Sequence, residues 1–137
     1  MLAIGWRVPS DATHFSVVID AQRNELFAAV LSRVDTEIVG EESTRIVLGK
    51  PWANDLAEGA TVTGPGLVKW ADQLRPDVRI VEPALWRPMA TSVGEVAWWQ
   101  YCGGRRDDVL QLRPQYFRRT AAEEQWDRKQ SGGGDRG

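Results

Sequence analysis

The sequence is short of the residues on which many small enzymes and metal proteins rely. It contains one cysteine, Cys102, and one histidine, His14. A lone cysteine excludes an internal disulfide and a cysteine-based zinc cluster. With a single histidine, any Ser-His-Asp or Cys-His arrangement would have to use His14, and no nucleophile motif accompanies it. His14, beside Thr13 and Phe15, therefore reads as structural or solvated, and Cys102 as a small core residue. An excess of positive charge is also missing. The chain carries 17 Lys and Arg against 19 Asp and Glu, a formal net charge of −2, whereas a dedicated nucleic-acid binder presents a strongly basic face. No apolar run approaches the roughly 18 residues that cross a bilayer. Met1 to Arg7 has neither a basic leader nor a long apolar stretch, so no signal peptide is expected and the expected location is the cytoplasm.

What is present fits one globular core. The chain has 137 residues, enough for a single core and too few for two comfortable domains. Residues 1–130 are expected to form one lobe and 131–137, polar and glycine-rich, a disordered tail. Seven tryptophans stand out. Side chains of that size dominate cores and interfaces, and a small domain has trouble burying so many.

Phe15 to Ala21 is β-rich, Gln22-Arg23-Asn24 is a polar turn, and Glu25 to Val34 resumes the apolar pattern. This reads as a hairpin, with Arg45 to Leu48 as a third strand. Alternation of helix and strand follows. Trp52 to Glu58 is long enough for two helical turns, and Ala60 to Thr63 is strand-like. Leu67, Val68, Trp70, Ala71 and Leu74 have helical spacing and stop at Pro76. Val78 to Val81 forms another short strand. Met89 to Tyr101 is the best helix, with Ala90, Val93, Ala97 and Tyr101 on one stripe and Val96 beside it. Gly103-Gly104 ends it. Leu110 to Phe117 reads as extended. A three-strand meander followed by helix-strand alternation predicts an α/β, ribonuclease-H-like unit.

Two stretches resemble the TsaB family, actin-like relatives of the glycoprotease TsaD proteins. Val18-Ile19-Asp20-Ala21-Gln22-Arg23-Asn24-Glu25-Leu26-Phe27 resembles the family's hairpin, in which Ile-Asp-Ala-Arg leads into Gly-Glu-Val-Tyr. Pro114-Gln115-Tyr116-Phe117-Arg118, followed by Ala121 and Trp126, resembles its closing Pro-x-Tyr-Leu-Arg segment. Between them, Thr61 to Gly66 occupies the place of a family strand and glycine turn. Gln22 and Asn24 depart from the usual Arg and Gly. The family's N-terminal lobe, with its Asp-Thr-Ser hairpin and Gly-Pro-Gly-Ser-Phe-Thr-Gly segment, has no counterpart here, so the resemblance is to a C-terminal half. It implies a single ribonuclease-H-like lobe of the actin-like fold. It further implies a non-catalytic scaffold in tRNA threonylcarbamoyladenosine modification, partnered by a TsaD-like protein and a TsaE-like protein. With one wall of the interlobe cleft, no useful ATP affinity is expected.

The chemistry candidates each have a plainer alternative. Asp20 closes the first strand where ribonuclease-H-like nucleases place a metal ligand, and Glu25, Asp35 and Glu37 would be its partners. Capping of a tight turn is the favoured reading of Asp20. Gly64-Pro65-Gly66 suits either a phosphate cradle or a simple strand-to-helix turn, the latter favoured. Trp98 and Trp99 point about 100° apart on their helix, which makes them the candidate partner-contact residues. Asp20, Glu25, Tyr116 and Arg118 are family-motif residues with structural roles. Arg105, Arg106, Arg113, Arg118, Arg119, Arg128 and Lys129 are diluted by interleaved acids, so direct nucleic-acid binding is not expected. No catalytic, cofactor or metal residue is assigned, and self-association is expected of any uncovered interlobe surface. The alternatives are a metal-dependent ribonuclease-H-like hydrolase centred on Asp20 and a degenerate lobe without activity.

Overall fold

The computed structural model describes residues 1–114 and Phe117. Residues 1–106 form one compact unit and residues 107–137 another. The first unit is built on a six-stranded mixed sheet. Strands β1 (His14–Gln22) and β2 (Glu25–Val34) pair antiparallel, with Val17 opposite Ala29 and Ser16 opposite Val30. Both are rich in β-branched and aromatic residues, which favour a pleated surface.

The outer edge of β2 is paired twice. Strand β3 (Glu37–Val39) takes Ser32 to Val34 and strand β4 (Arg45–Leu48) takes Glu25 to Ala28. They form one broken strand, interrupted by Gly40 at φ 101° and a 3-10 turn over Glu41–Ser43. At the break the Ser43 hydroxyl substitutes for a neighbouring strand. Its Oγ accepts from the Val30 N–H at 2.9 Å and lies 3.1 Å from the Val30 carbonyl. The sequence pattern reveals β4 but not β3, whose three residues are too few to show a period.

Helix α1 (Leu2–Gly5) precedes the sheet, and α2 (Gly49–Asn54) follows β4. The expected helix over Trp52 to Glu58 is corrected to this earlier and shorter one. Pro51 is tolerated in the first turn, and Arg75 seizes the carbonyls of Asn54 and Leu56 at 3.4 and 2.9 Å, which closes the segment after α2. Strand β5 (Thr61–Thr63) runs parallel to β1, and β6 (Arg79–Ile80) runs parallel to β5. Between them the expected helix to Leu74 is one α-turn, α3 (Leu67–Trp70), tightening into a 3-10 turn over Ala71–Gln73. Helix α4 (Ala90–Cys102) follows. A meander with two parallel strands added beside β1 is the ribonuclease-H-like arrangement expected.

Alternation along β1 and β2 supplies both faces of the sheet. Phe15, Val17, Ala29 and Leu31 join Ile4, Val8, Ile38 and Val81 on one side. Val18, Leu26 and Ala28 join Val62, Leu67, Trp70 and Val78 on the other. Among the described residues no helix is long and apolar enough to cross a membrane.

In the second unit the described part includes a 3-10 turn at Val109–Gln111, where an extended segment was expected. Asp108 causes it, because its carboxylate accepts from Leu110 N at 2.9 Å and caps the turn. The closing-motif residues Tyr116 and Arg118, Trp126 and the expected tail 131–137 lie outside the described residues.

Candidate functional site

Asp20 stands at the end of β1, exposed, and its Oδ1 accepts from the Gln22 N–H at 3.0 Å. That is the Asx geometry by which a carboxylate organises a turn. The turn needs it, since Gln22, Arg23 and Asn24 all have positive φ, at 65°, 49° and 63°. Such φ values cost non-glycine residues about 1 kcal/mol or more each. Two further contacts hold the turn: Gly49 N–H donates to the Asn24 carbonyl at 2.9 Å, and Lys69 Nζ donates to Asn24 Oδ1 at 2.7 Å. Glu25 lies opposite Gln22 in the hairpin register. Asp35 and Glu37 lie at the far end of β2, ten residues away along the strand, about 30 Å in extended chain. The carboxylates proposed to share a metal with Asp20 are therefore split between opposite ends of the sheet. Among the described residues no three His, Cys, Asp or Glu side chains gather as a metal site.

The Gly64-Pro65-Gly66 turn is pressed against β1. Gly64 has φ +113°, and a Cβ there would lie 2.2 Å from the Val18 carbonyl oxygen. Gly66 donates to that same carbonyl at 3.0 Å, and a Cβ on Gly66 would meet Leu26 Cδ2 at 2.9 Å. The N–H groups of Leu67 and Val68 are spent on the carbonyls of Gly64 and Pro65. Close packing on β1 thus accounts for both glycines, and the donors a phosphate would need at Gly66, Leu67 and Val68 are occupied.

Helix α4 packs against α1. Its start is fixed by Ser92, whose Oγ accepts from Met89 N–H at 3.0 Å and donates to the Met89 carbonyl at 2.8 Å. Ser92 is buried, and Val96, Trp99 and Gln100 are half-buried. On the opposite side of the helix Ala90, Gly94, Ala97 and Tyr101 follow one line, with Trp98 beside it. All five are exposed, Trp98 to 67%. The stripe read from the sequence, Ala90, Val93, Ala97 and Tyr101, is therefore exposed, and only Val96 beside it turns toward the inward side, the one carrying Ser92. The sequence could not distinguish them, because apolar and uncharged polar residues occur on both sides and Glu95 is the one charged residue in the helix. Cys102 is likewise exposed and not a core residue.

The aromatic pair on this face is ordered. The Trp98 and Tyr101 rings stack with centroids 6.1 Å apart, and the Arg106 guanidinium lies 3.7 Å from the Tyr101 ring centroid. Arg106 also donates to the carbonyls of Tyr101 and Arg105 at 2.6 and 2.7 Å, which satisfies the helix C-terminus. His14, exposed at the start of β1 and opposite Ser32, has its Nδ1 3.1 Å from the Thr13 hydroxyl.

A further feature left no mark in the sequence. Residues from β1, β2, β4, α2 and the segment after it, among them Ala28, Val30, Arg45, Val47, Trp52 and Leu56, line an open hollow of about 590 Å³. They are scattered over residues 14 to 61, so no motif could have signalled it.

No protein-family model and no curated protein matches this sequence. Solved structures do. One is described as an uncharacterized protein with similarity to peptidase YeaZ from Pseudomonas aeruginosa. It superposes with a TM-score of 0.63 at 20% identity, over 85% of this chain and 55% of that one. YeaZ from Pseudomonas aeruginosa superposes with a TM-score of 0.61 at 20% identity, over 84% of this chain and 54% of its own. The chain spans about half the length of these structures. It has the mixed α/β, actin-like fold of YeaZ, the fold that the TsaB-like motifs imply.

Proposed function

We propose that this chain is a non-catalytic scaffold lobe of the TsaB kind, acting in tRNA threonylcarbamoyladenosine modification by binding a TsaD-like catalytic subunit. YeaZ is a TsaB protein, and the structural likeness to it supports the reading that the hairpin and closing motifs first suggested. The observation that carries the scaffold role is the outward side of α4, an uncharged line of Ala90, Gly94, Ala97 and Tyr101 flanked by the exposed Trp98. Apolar surface of this kind, centred on aromatic residues, is the composition of an interface core and not of solvated surface. In this role Trp98 inserts into the partner, while Trp99, half-buried, supports the helix from within. TsaD carries the catalysis, and a TsaE-like protein joins the assembly. The protein acts in the cytoplasm.

The test is co-purification of the tagged chain with TsaD-like and TsaE-like proteins of the same cell, compared with a Trp98→Glu variant. Because Trp98 is 67% exposed, the variant is expected to keep its stability within about 0.5 kcal/mol and to lose the TsaD-like partner. Equal recovery of that partner by the variant would refute the assigned surface, and failure of the unaltered chain to recover it would refute the scaffold role.

A further inference from the structure

Strands β1 and β2 are nine and ten residues long, about 30 Å. The helices laid over their Val18 and Leu26 side, α2 and α3, have six and four residues, about 9 and 6 Å of helix. They seal the Leu26 end, where Trp70 is 4% exposed, and leave the other end of that face uncovered. There the strands carry small side chains: Ser16 stands opposite Val30, and Ala28 stands between Val18 of β1 and Arg45 of β4. Missing cover above and small residues below make the hollow of about 590 Å³.

We infer that this hollow is a binding site for a small molecule with a flat apolar body and a single negative charge. Its volume lies in the range of small-molecule sites, roughly 300–1,000 Å³. Ala28 and Val30 form the floor, with Val47, Leu56 and the indole of Trp52 around it, and Val30 is 52% exposed there. The polar groups then specify the charge. The Arg45 and Asp55 side chains line the same hollow, and neither makes an ion pair or hydrogen bond among the described residues. An unpaired guanidinium beside an apolar wall suits a carboxylate, which it can grip through two parallel N–H donors. Asp55 disfavours a second negative charge, which separates this ligand class from nucleotides and other polyphosphates. Both charges are exposed, so they orient the ligand and select its charge, while the apolar floor and indole supply most of the affinity. The assignment is independent of the scaffold role.

The experiment is titration of indole-3-acetate into the full chain, followed by two-dimensional amide NMR, with ADP in parallel. The Trp52 indole signal is identified by its loss in Trp52→Phe. Saturable one-site binding is expected, with a dissociation constant of about 1 mM or tighter for a ligand of this size, and with the Trp52 signal among those that move. Ala28→Leu, which fills the floor, weakens binding at least tenfold; Arg45→Gln weakens it at least threefold; Asp55→Asn does not weaken it; ADP does not saturate. If the dispersion of the spectrum shows Ala28→Leu to be unfolded, Val30→Asp takes its place, with the same expected loss. Absence of saturation by about 10 mM indole-3-acetate, well above the expected constant, overturns the assignment. So does binding that survives both the floor substitution and Arg45→Gln.

Discussion

Replacing Gly64 by alanine tests the account of the strand-to-helix turn at its tightest point. At φ +113° the residue occupies backbone space that L side chains rarely enter, and the added Cβ would lie 2.2 Å from the Val18 oxygen and 2.9 Å from the Val18 nitrogen. Ordinary contact needs about 3.4 Å or more, and the obstacle is backbone, not a side chain that can swing away. Val18 is 0% exposed and its neighbour Val17 is paired with Thr63 of β5, so relief requires β5 to part from β1. Strain of about 1–3 kcal/mol for the backbone and a similar amount for the overlap together cost about 2–6 kcal/mol. A domain of this size holds roughly 5–15 kcal/mol in total, so the loss is severe. Urea unfolding followed by tryptophan fluorescence measures it, with buried Trp70 as a reporter. Gly94→Ala is the control: nothing lies within 4 Å of its added Cβ, and in mid-helix it is expected to stabilise by about 0.5–1 kcal/mol. A Gly64→Ala variant within about 1 kcal/mol of the parent would show that the turn is not clamped on β1, and the phosphate-loop reading would regain its ground.

Leu31→Ala removes a side chain that is 0% exposed in the cluster around Phe15 and Ile38; a loss of about 3 kcal/mol is expected in the same unfolding assay. Ser43→Ala deprives the Val30 N–H of its partner at the strand break, so stability falls by about 1 kcal/mol and hydrogen exchange at the Val30 amide accelerates. Asp77 is held down to about 2, first by the Arg75 guanidinium at 3.1 Å and then by the Gly59 N–H. A depressed carboxylate contributes its stability in full above the ordinary value near 3.9 and loses it as pH falls toward the folded value. The stability gap between the parent and Asp77→Asn is therefore constant at neutral pH and closes between about pH 4 and pH 2; a gap unchanged at pH 2 would refute the Arg75–Asp77–Gly59 link.

The hairpin was legible because three cues agree there: alternating apolar residues in Phe15 to Ala21, a polar turn, and a second apolar run from Glu25. Register then follows from the short turn, which is why Val17 meets Ala29. Asp20 was legible as a turn residue for the same reason, since the strand ends where its carboxylate can reach the Gln22 N–H. The helices were less readable. Spacing through Leu74 suggested a continuous helix, but the α-helix stops at Trp70, which is buried, and a 3-10 turn follows. For α4 the periodicity gave the helix and not its orientation. A helix with one charged residue has no polar side to identify solvent, and only packing against α1 reveals which apolar side turns in. The hollow lay beyond sequence reasoning altogether, because it results from a mismatch in length between strands and the helices covering them.

The two places where folds of this class can hold chemistry carry structural duties here. The strand-end carboxylate organises a turn whose three residues at positive φ need a strong acceptor. The glycine turn spends its backbone donors on Val18 and on its own first residues. Both functions proposed above accordingly rest on other surfaces of the described residues. The outward line of α4 and the hollow beside Trp52 both expose apolar area among the described residues. They also differ in kind. In the readings proposed above, the aromatic face, with Arg106 stacked on Tyr101, takes another protein, and the hollow, lined by Arg45 and Asp55, takes a small anion. A substitution on one should therefore leave binding at the other unchanged, because Trp98 and Arg45 share no contact among the described residues through which to couple.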